Sequence, residues 1–324
     1  MSASAGRPGD GGAARAPRRT LAASKGPGRA LVIGTPFVWL LVFFLVPFLV
    51  VLRISLSEMQ GAGFSPLLHL EDGALVFSPR WDSYQLLLTD ALYLTTYLSS
   101  LKYAALTTFF CLALGYPFAY FMARARPGLQ PVLLMLVMLP FWTSFLLRVY
   151  AWKGLLTEGG WAADAIGAVG LDHLLAALAV IPAPGQLMNT PFSLVLGMTY
   201  TYLPFMILPL YANLAKMDLR LLEAASDLGA SPWTAFWKIT VPLSRAGIVA
   251  GAMLVFIPSV GEYVIPELLG GPQTQMIGRT LWDEFFSNND WPMACAVAVT
   301  MILLVIVPIA IFNRAQANAT ERSA

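Results

Sequence analysis

Six stretches of this chain are so long and so apolar that water cannot be their solvent. They lie at about 31–53, 97–122, 130–151, 191–214, 245–265 and 292–312, each near the roughly 20 residues that a helix needs to cross a bilayer. Lipid offers no hydrogen bonds to a backbone, so spanning segments of this kind close their bonds internally as helices. The expected fold class is therefore an all-α membrane protein with six transmembrane helices. Composition agrees: the 324 residues are 57% hydrophobic and 12% charged, with a mean hydropathy of +0.67, well outside ordinary soluble domains. Between the third and fourth stretches, about 152–190, the chain is apolar only in patches such as Leu174 to Ile181 and is broken by Gly, Asp and Pro. It is expected to form an external loop with a short interfacial or re-entrant helix. Were that patch a span, the two termini would fall on opposite sides.

Charge orients the spans, because Lys and Arg are retained in short cytoplasmic segments. Residues 1–30 carry Arg7, Arg15, Arg18, Arg19, Lys25 and Arg29; later segments of the same side carry Arg124 and Arg126, then Lys216, Arg220, Lys238 and Arg245, then Arg314 and Arg322. Both termini are expected in the cytoplasm. Segment 1–30 has almost no large apolar side chain and is expected to be a disordered basic tail, with 314–324 a second tail. Arg18 and Arg19 do not make an export signal, since the apolar run from Leu31 is too long and lacks a small-residue cleavage site. The opposite face collects Glu71, Asp72, Asp82, Asp90, Glu158, Asp164, Asp172, Asp283, Glu284 and Asp290 against Arg80, Lys153 and Arg279. That balance favours a cationic solute.

Several functions are excluded. A net charge of +2, scattered along the chain, builds no nucleic-acid surface. Cys111 and Cys295 sit in apolar runs with no CxxC partner, and His69 and His173 lie in polar connections, so no metal-ligand set forms. Ser259 lies in Pro-Ser-Val-Gly, without the leading glycine of a nucleophile elbow and without a histidine to serve as base. No G-x-x-x-x-G-K-[ST] loop is present to cradle ATP phosphates. The chain is read as a non-enzyme that binds no cofactor of its own.

The longest inside segment, Leu222 to Gly247, reads LEAASDLGASPWTAFWKITVPLSRAG. Glu223, Ala224 and Ala225 begin a helical pattern, Gly229 breaks it, and Ser231 followed by Pro232 is a helix start. A second short helix is expected from Pro232 to about Ile239, stopped by Pro242. Trp233, Phe236 and Trp237 fall at i, i+3 and i+4, on one side of that helix, as an anchor for a groove on a partner would.

Glu223-Ala224-Ala225, with Gly229 four residues beyond and then Phe236, Ile239 and Pro242, resembles the signature of permease subunits of binding-protein-dependent ABC importers. The resemblance implies a type I ABC importer permease fold in a bacterial inner membrane. It implies that segment 222–242 couples to a cytoplasmic ATPase, which holds ATP and Mg on its own chain. It further implies a second homologous permease as heterodimer partner, two nucleotide-binding subunits and a periplasmic binding protein. The run Val255 to Pro272, Met276-Ile-Gly-Arg-Thr-Leu-Trp and Asn289-Asp-Trp-Pro are similar to the polyamine branch, with putrescine as the implied solute. A permease for an amino acid, sulfate or iron chelate is the alternative within the family. A gradient-driven secondary transporter is the alternative outside it, although the internal repeat such proteins carry is not seen.

A charge at membrane depth costs several kcal/mol unless it faces a cavity or a partner, which singles out Glu262 as a substrate-path residue. Pro258, Gly261 and Pro266 are expected to interrupt the helix around it. Ser259, three residues earlier, is expected to share its face, with Tyr263 beside it and Glu267 near the exit. Trp142, Tyr150 and Trp152 on the third span and Tyr200 and Tyr202 on the fourth complete the expected path, as ring faces for an organic cation or, alternatively, as interfacial anchors.

Overall fold

The computed structural model describes residues 27–61, 63–71 and 74–321. The expected tails at 1–30 and 314–324 lie outside the described residues at 1–26 and 322–324. The chain divides after Val50 into two compact units. Helix α1 (Pro27–Leu40) continues through one π-helical turn, Leu41–Leu45, into α2 (Val46–Ser55), within which that division falls. Trp39 stacks on Phe43 with ring centres 4.1 Å apart. The apolar stretch Val32–Ser55, 24 residues, matches the first expected span.

The second unit opens with two small hairpins, β1 (Met59–Gln60) with β2 (Gly63–Phe64) and β3 (Leu68–Glu71) with β4 (Ala74–Phe77). In the longer one Leu68 pairs with Phe77 and Glu71 with Ala74. They correct the all-α expectation.

Helices α3 (Asp82–Thr89) and α4 (Ala91–Arg124) follow, the latter 34 residues long and capped by Asp90, whose carboxylate accepts from Leu92 N. The third expected span is not one helix. α5 (Gln130–Met138) passes through a 3-10 turn, Leu139–Trp142, and α6 (Phe145–Leu156) leaves it at 86°. Pro140 lies in the first positions of that turn, where it lacks an N–H and blocks continuation of the preceding helix. The segment expected to be an external loop forms two short helices, α7 (Trp161–Ala168) and α8 (Leu171–Ala177). α9 (Pro191–Leu214) has the limits expected of the fourth span; Thr190 and Ser193 form a reciprocal capping box, and Pro191 occupies the first turn.

Beyond it come α10 (Arg220–Asp227), α11 (Pro232–Ala235), a π turn at Phe236–Thr240, α12 (Val241–Leu243), α13 (Arg245–Val260), α14 (Val264–Leu269), α15 (Ile277–Trp282) and α16 (Trp291–Glu321). The fifth expected span breaks at Gly261–Tyr263. Of the three residues expected to interrupt it, Gly261 ends α13, whereas Pro258 stays inside α13 and Pro266 lies within α14. Pro242 does not stop the coupling helix either. It lies in the first turn of α12, and the 65° bend comes after Leu243. Among the described residues, three helices are long and apolar enough to cross a membrane, five if each bent pair is one span, with Trp291–Val307 as a shorter apolar helix.

The core is the packing of α4, α9 and α13. Cys111, Tyr116, Ala119 and Met122 from α4 meet Met198, Tyr202, Met206 and Leu210 from α9 and Val255 from α13. Without a hydrophobic drive between helices in lipid, such packing depends on small residues that let backbones approach. Gly247 and Gly251, one turn apart on α13, supply this. A methyl group at Gly251 would stand 2.7 Å from Met206 Sδ and 3.1 Å from Met206 O, and one at Gly247 would stand 2.8 Å from Asn213 Cβ. A methyl group at Gly115 of α4 would stand 3.1 Å from Met206 Cγ and 3.3 Å from Ile207 Cγ1. Overpacking a well-filled core costs about 1–3 kcal/mol. Gly251→Val is therefore expected to lower the thermal unfolding midpoint of the detergent-purified protein, whereas Gly128→Val, where nothing lies within 4 Å, leaves it unchanged.

Candidate functional site

The break between α13 and α14 positions the principal ionisable residue. Glu262 sits half-buried after Gly261, outside both helices. Its carboxylate turns forward over the start of α14, accepting from Val264 N at 3.1 Å and, at a long 3.4 Å, from Ile265 N. Its other oxygen accepts from the hydroxyl of Tyr202, buried on α9. Three donors converge on one carboxylate and tie the break to the core. The structure thus brings Glu262 and Tyr202 together, and it satisfies Glu262 within this chain.

Ser259 does not join them. It is buried, and its hydroxyl donates back to Val255 O at 2.6 Å, closing a bond inside α13. The expected shared face with Glu262 is lost because the helix ends between the two residues. Tyr263 leads away from the core, lying flat on Trp282 of α15 with ring centres 4.6 Å apart and planes 8° from parallel. Glu267 meets α15 as well: its Oε2 is 2.7 Å from Arg279 Nε, a close charge contact rather than an aligned hydrogen bond. A stack and an ion pair therefore link the break and α14 to α15. Trp282 and Arg279 were not singled out as site residues in the sequence, where Arg279 stood only as one of few basic residues on the acidic face.

The remaining aromatic residues separate. Trp152 of α6 packs edge-on to Tyr200 of α9 at 5.4 Å. Tyr200 and Tyr202 are two residues apart, about 200° around a helix, so Trp152 and Tyr200 lie on a different side of α9 from Glu262. Trp142 is 77% exposed and Tyr150 54% exposed; neither contacts Glu262.

In the coupling segment, α10 ends at Asp227 and the chain reverses through Gly229, whose φ of +79° lies where side chains are strained. Ser231 caps α11 as expected, accepting from Thr234 N at 3.2 Å, and Pro232 starts the helix. Glu223 and Ala224 are exposed, Ala225 is buried, and Ile239 and Pro242 are half-buried. Trp233, Phe236 and Trp237 form one cluster, with Trp233 5.8 Å from Trp237 and 6.0 Å from Phe236. They do not all face outward. Phe236 turns inward, edge-on to Tyr116 at 5.6 Å and Tyr120 at 5.9 Å on α4, while Trp233 and Trp237 stay exposed. Eight residues beyond Phe236, Ser244 shares a 2.9 Å hydrogen bond with Tyr116.

The chain has relatives over most of its length. Residues 29–320 match the family described as binding-protein-dependent transport system inner membrane component. A relative in Haemophilus influenzae, the spermidine/putrescine transport system permease protein PotB, is 35% identical over 286 residues, 88% of this chain and 93% of its own. PotB of Escherichia coli K12 is 36% identical over 277 residues, 86% of this chain and 94% of its own. Among solved structures, a chain of a bacterial ABC transporter involved in the import of the acidic polysaccharide alginate aligns with a TM-score of 0.63 at 15% identity, covering 90% of this chain and 96% of that one. That likeness shows the fold. The chain belongs to the family of inner membrane components of binding-protein-dependent transport systems, as a permease subunit.

Proposed function

We propose that this chain is the permease of an ATP-driven importer that carries a polyamine, putrescine first among them, from periplasm to cytoplasm by alternating access. The observation that carries this reading is the identity of 35–37% to PotB proteins, named for spermidine and putrescine, over nearly the whole of both chains. The fold by itself does not choose the solute, since its structural neighbour belongs to a transporter of an anionic sugar polymer. Charge does favour a cation: Glu262 places a carboxylate in the α13–α14 break.

In this reading six spans cross the bacterial inner membrane, α16 being the sixth, and both termini are cytoplasmic. The positive charge of the inside segments supports that orientation. The permease domain covers 31–313 between the two tails. A second homologous permease, two nucleotide-binding subunits and a periplasmic binding protein complete the assembly, with ATP and Mg held by the nucleotide-binding subunits. Segment 222–242 docks on one of these through the exposed Trp233 and Trp237, while Phe236 passes motion to α4. The break at Glu262 is the substrate-path element. Its carboxylate, now held by Tyr202, is the group that an ammonium would engage as the spans pivot, with Tyr263 and Trp282 offering ring faces at about 0.5–2 kcal/mol for each cation contact.

Uptake of labelled putrescine into energised vesicles is expected to stop with vanadate, and to be competed by spermidine but not by sulfate. Vanadate-insensitive uptake would overturn the reading. Glu262→Gln is expected to lower uptake at least about tenfold, some 1.4 kcal/mol, with the ATPase subunits still recovered; normal transport by this variant would remove Glu262 from the path. At Gly229 nothing crowds a side chain, yet φ is positive, so a β-branched residue there carries about 1–3 kcal/mol of strain. Gly229→Val is accordingly expected to lose the ATPase subunits on co-purification while the chain still inserts in the membrane.

A further inference from the structure

The first turn of α15 is laid directly against the break that holds Glu262. A methyl group at Gly278 would stand 2.7 Å from the carbonyl oxygen of Glu262 and closer still to that of Gly261. A side chain there would part the two backbones. Ile277, buried beside it, donates its N–H to Ser100 Oγ at 2.7 Å, which ties the same turn to α4. The side chains that follow on α15 are thereby fixed relative to Glu262.

Across this seam four groups meet in two pairs. Glu267 N donates to Tyr263 O at 3.0 Å, one helical turn, so Tyr263 and Glu267 share a face. Trp282 and Arg279, three apart on α15, face them: Tyr263 stacks flat on Trp282, and Glu267 Oε2 lies 2.7 Å from Arg279 Nε. The stack is well formed and the ion pair is not. Arg279 Nε is shut off from solvent without an aligned hydrogen bond, and the Glu267 side chain stays 48% exposed. Glu262, by contrast, accepts from three donors. A half-exposed ion pair without good geometry is weak, so another cation can compete for Glu267.

Arg279 reaches that carboxylate as a cation on a methylene stem, beside two stacked rings. An aliphatic ammonium would make the same contacts. Among the described residues Glu262 has no cationic partner. With Arg279 in place the seam therefore offers one carboxylate free of a cation, and with Arg279 withdrawn it offers two. One suits a monoamine; two suit a diamine.

We propose that Arg279 is a tethered competitor for the solute, holding Glu267 until an aliphatic diamine displaces it, with one ammonium going to Glu262 and the other to Glu267. Glu267 then distinguishes a diamine from a monoamine, and Arg279 keeps the diamine from being held too tightly to be released. The inference rests on the polyamine reading given above.

The test uses the assembled importer, permease and ATPase subunits together in lipid nanodiscs. Binding of labelled putrescine is read at equilibrium, with n-butylamine as the monoamine competitor. If vesicles carrying the unaltered importer take up no putrescine, the polyamine reading fails, whatever Arg279 does. If they do, Arg279→Gln is expected to tighten putrescine binding about threefold or more while the inhibition constant of n-butylamine stays within about twofold. Glu267→Gln is expected to weaken putrescine binding about tenfold. The double variant is expected to match Glu267→Gln, because a competitor has no effect once its carboxylate is gone. Unchanged or weaker putrescine binding in Arg279→Gln would overturn the proposal, as would an equal shift for n-butylamine, additive effects in the double variant, or uptake by an importer that shows no saturable putrescine binding. Should Arg279→Gln fail to assemble, Glu267→Gln decides alone: no loss of putrescine binding, or an equal loss for n-butylamine, removes the second ammonium site.

Discussion

The close approach of α9 and α13 is the contact on which the rest of this molecule depends. Apolar side chains gain nothing by leaving lipid for one another, so the helices are held by dispersion contact and by hydrogen bonds between them. Gly247 and Gly251 remove side chains where Met206 and Asn213 stand, and Gly115 does the same from α4. Once those backbones are near, polar ties become short enough to form. Ser193 Oγ donates to Leu269 O at 2.7 Å, and Ser100 Oγ accepts from Ile277 N at 2.7 Å. Both fix elements that follow the α13 break to helices that precede it.

The break itself is a helix end within the packed unit, and such an end leaves amides without partners. Glu262 answers those of Val264 and Ile265 and takes the Tyr202 hydroxyl as well. A carboxylate placed there both stabilises the interruption and keeps a charge beside it. Structure and proposed solute recognition thus use one group, which explains how a negative charge persists in an otherwise apolar stretch.

Much of this was readable in the residues where one period or one cap decides the outcome. The limits of α9 followed from the apolar run at 191–214, and the Ser231-Pro232 start of α11 from capping chemistry alone. What escaped were places where a local signal competed with hydropathy. The 86° bend after Trp142 interrupts a stretch whose apolar character reads as continuous. Pro258, by contrast, is absorbed in α13, so proline by itself does not say where a helix ends. Spacing put Ser259 and Glu262 on one face, but that argument holds only while the helix continues, and Gly261 ends it. The pairing of Glu267 with Arg279 was invisible in sequence, because it depends on how α15 lies against α14.

The inward turn of Phe236 has a mechanical consequence. Wedged edge-on between Tyr116 and Tyr120 and backed by the bond from Tyr116 to Ser244, it gives the segment low compliance against α4. In the proposed coupling role, a displacement applied at Trp233 would pass through this contact to α4, a 34-residue helix with Pro117 beside the contact. A helix of that length magnifies a small angle at one end into a larger translation at the other, so the geometry favours short strokes delivered with high force.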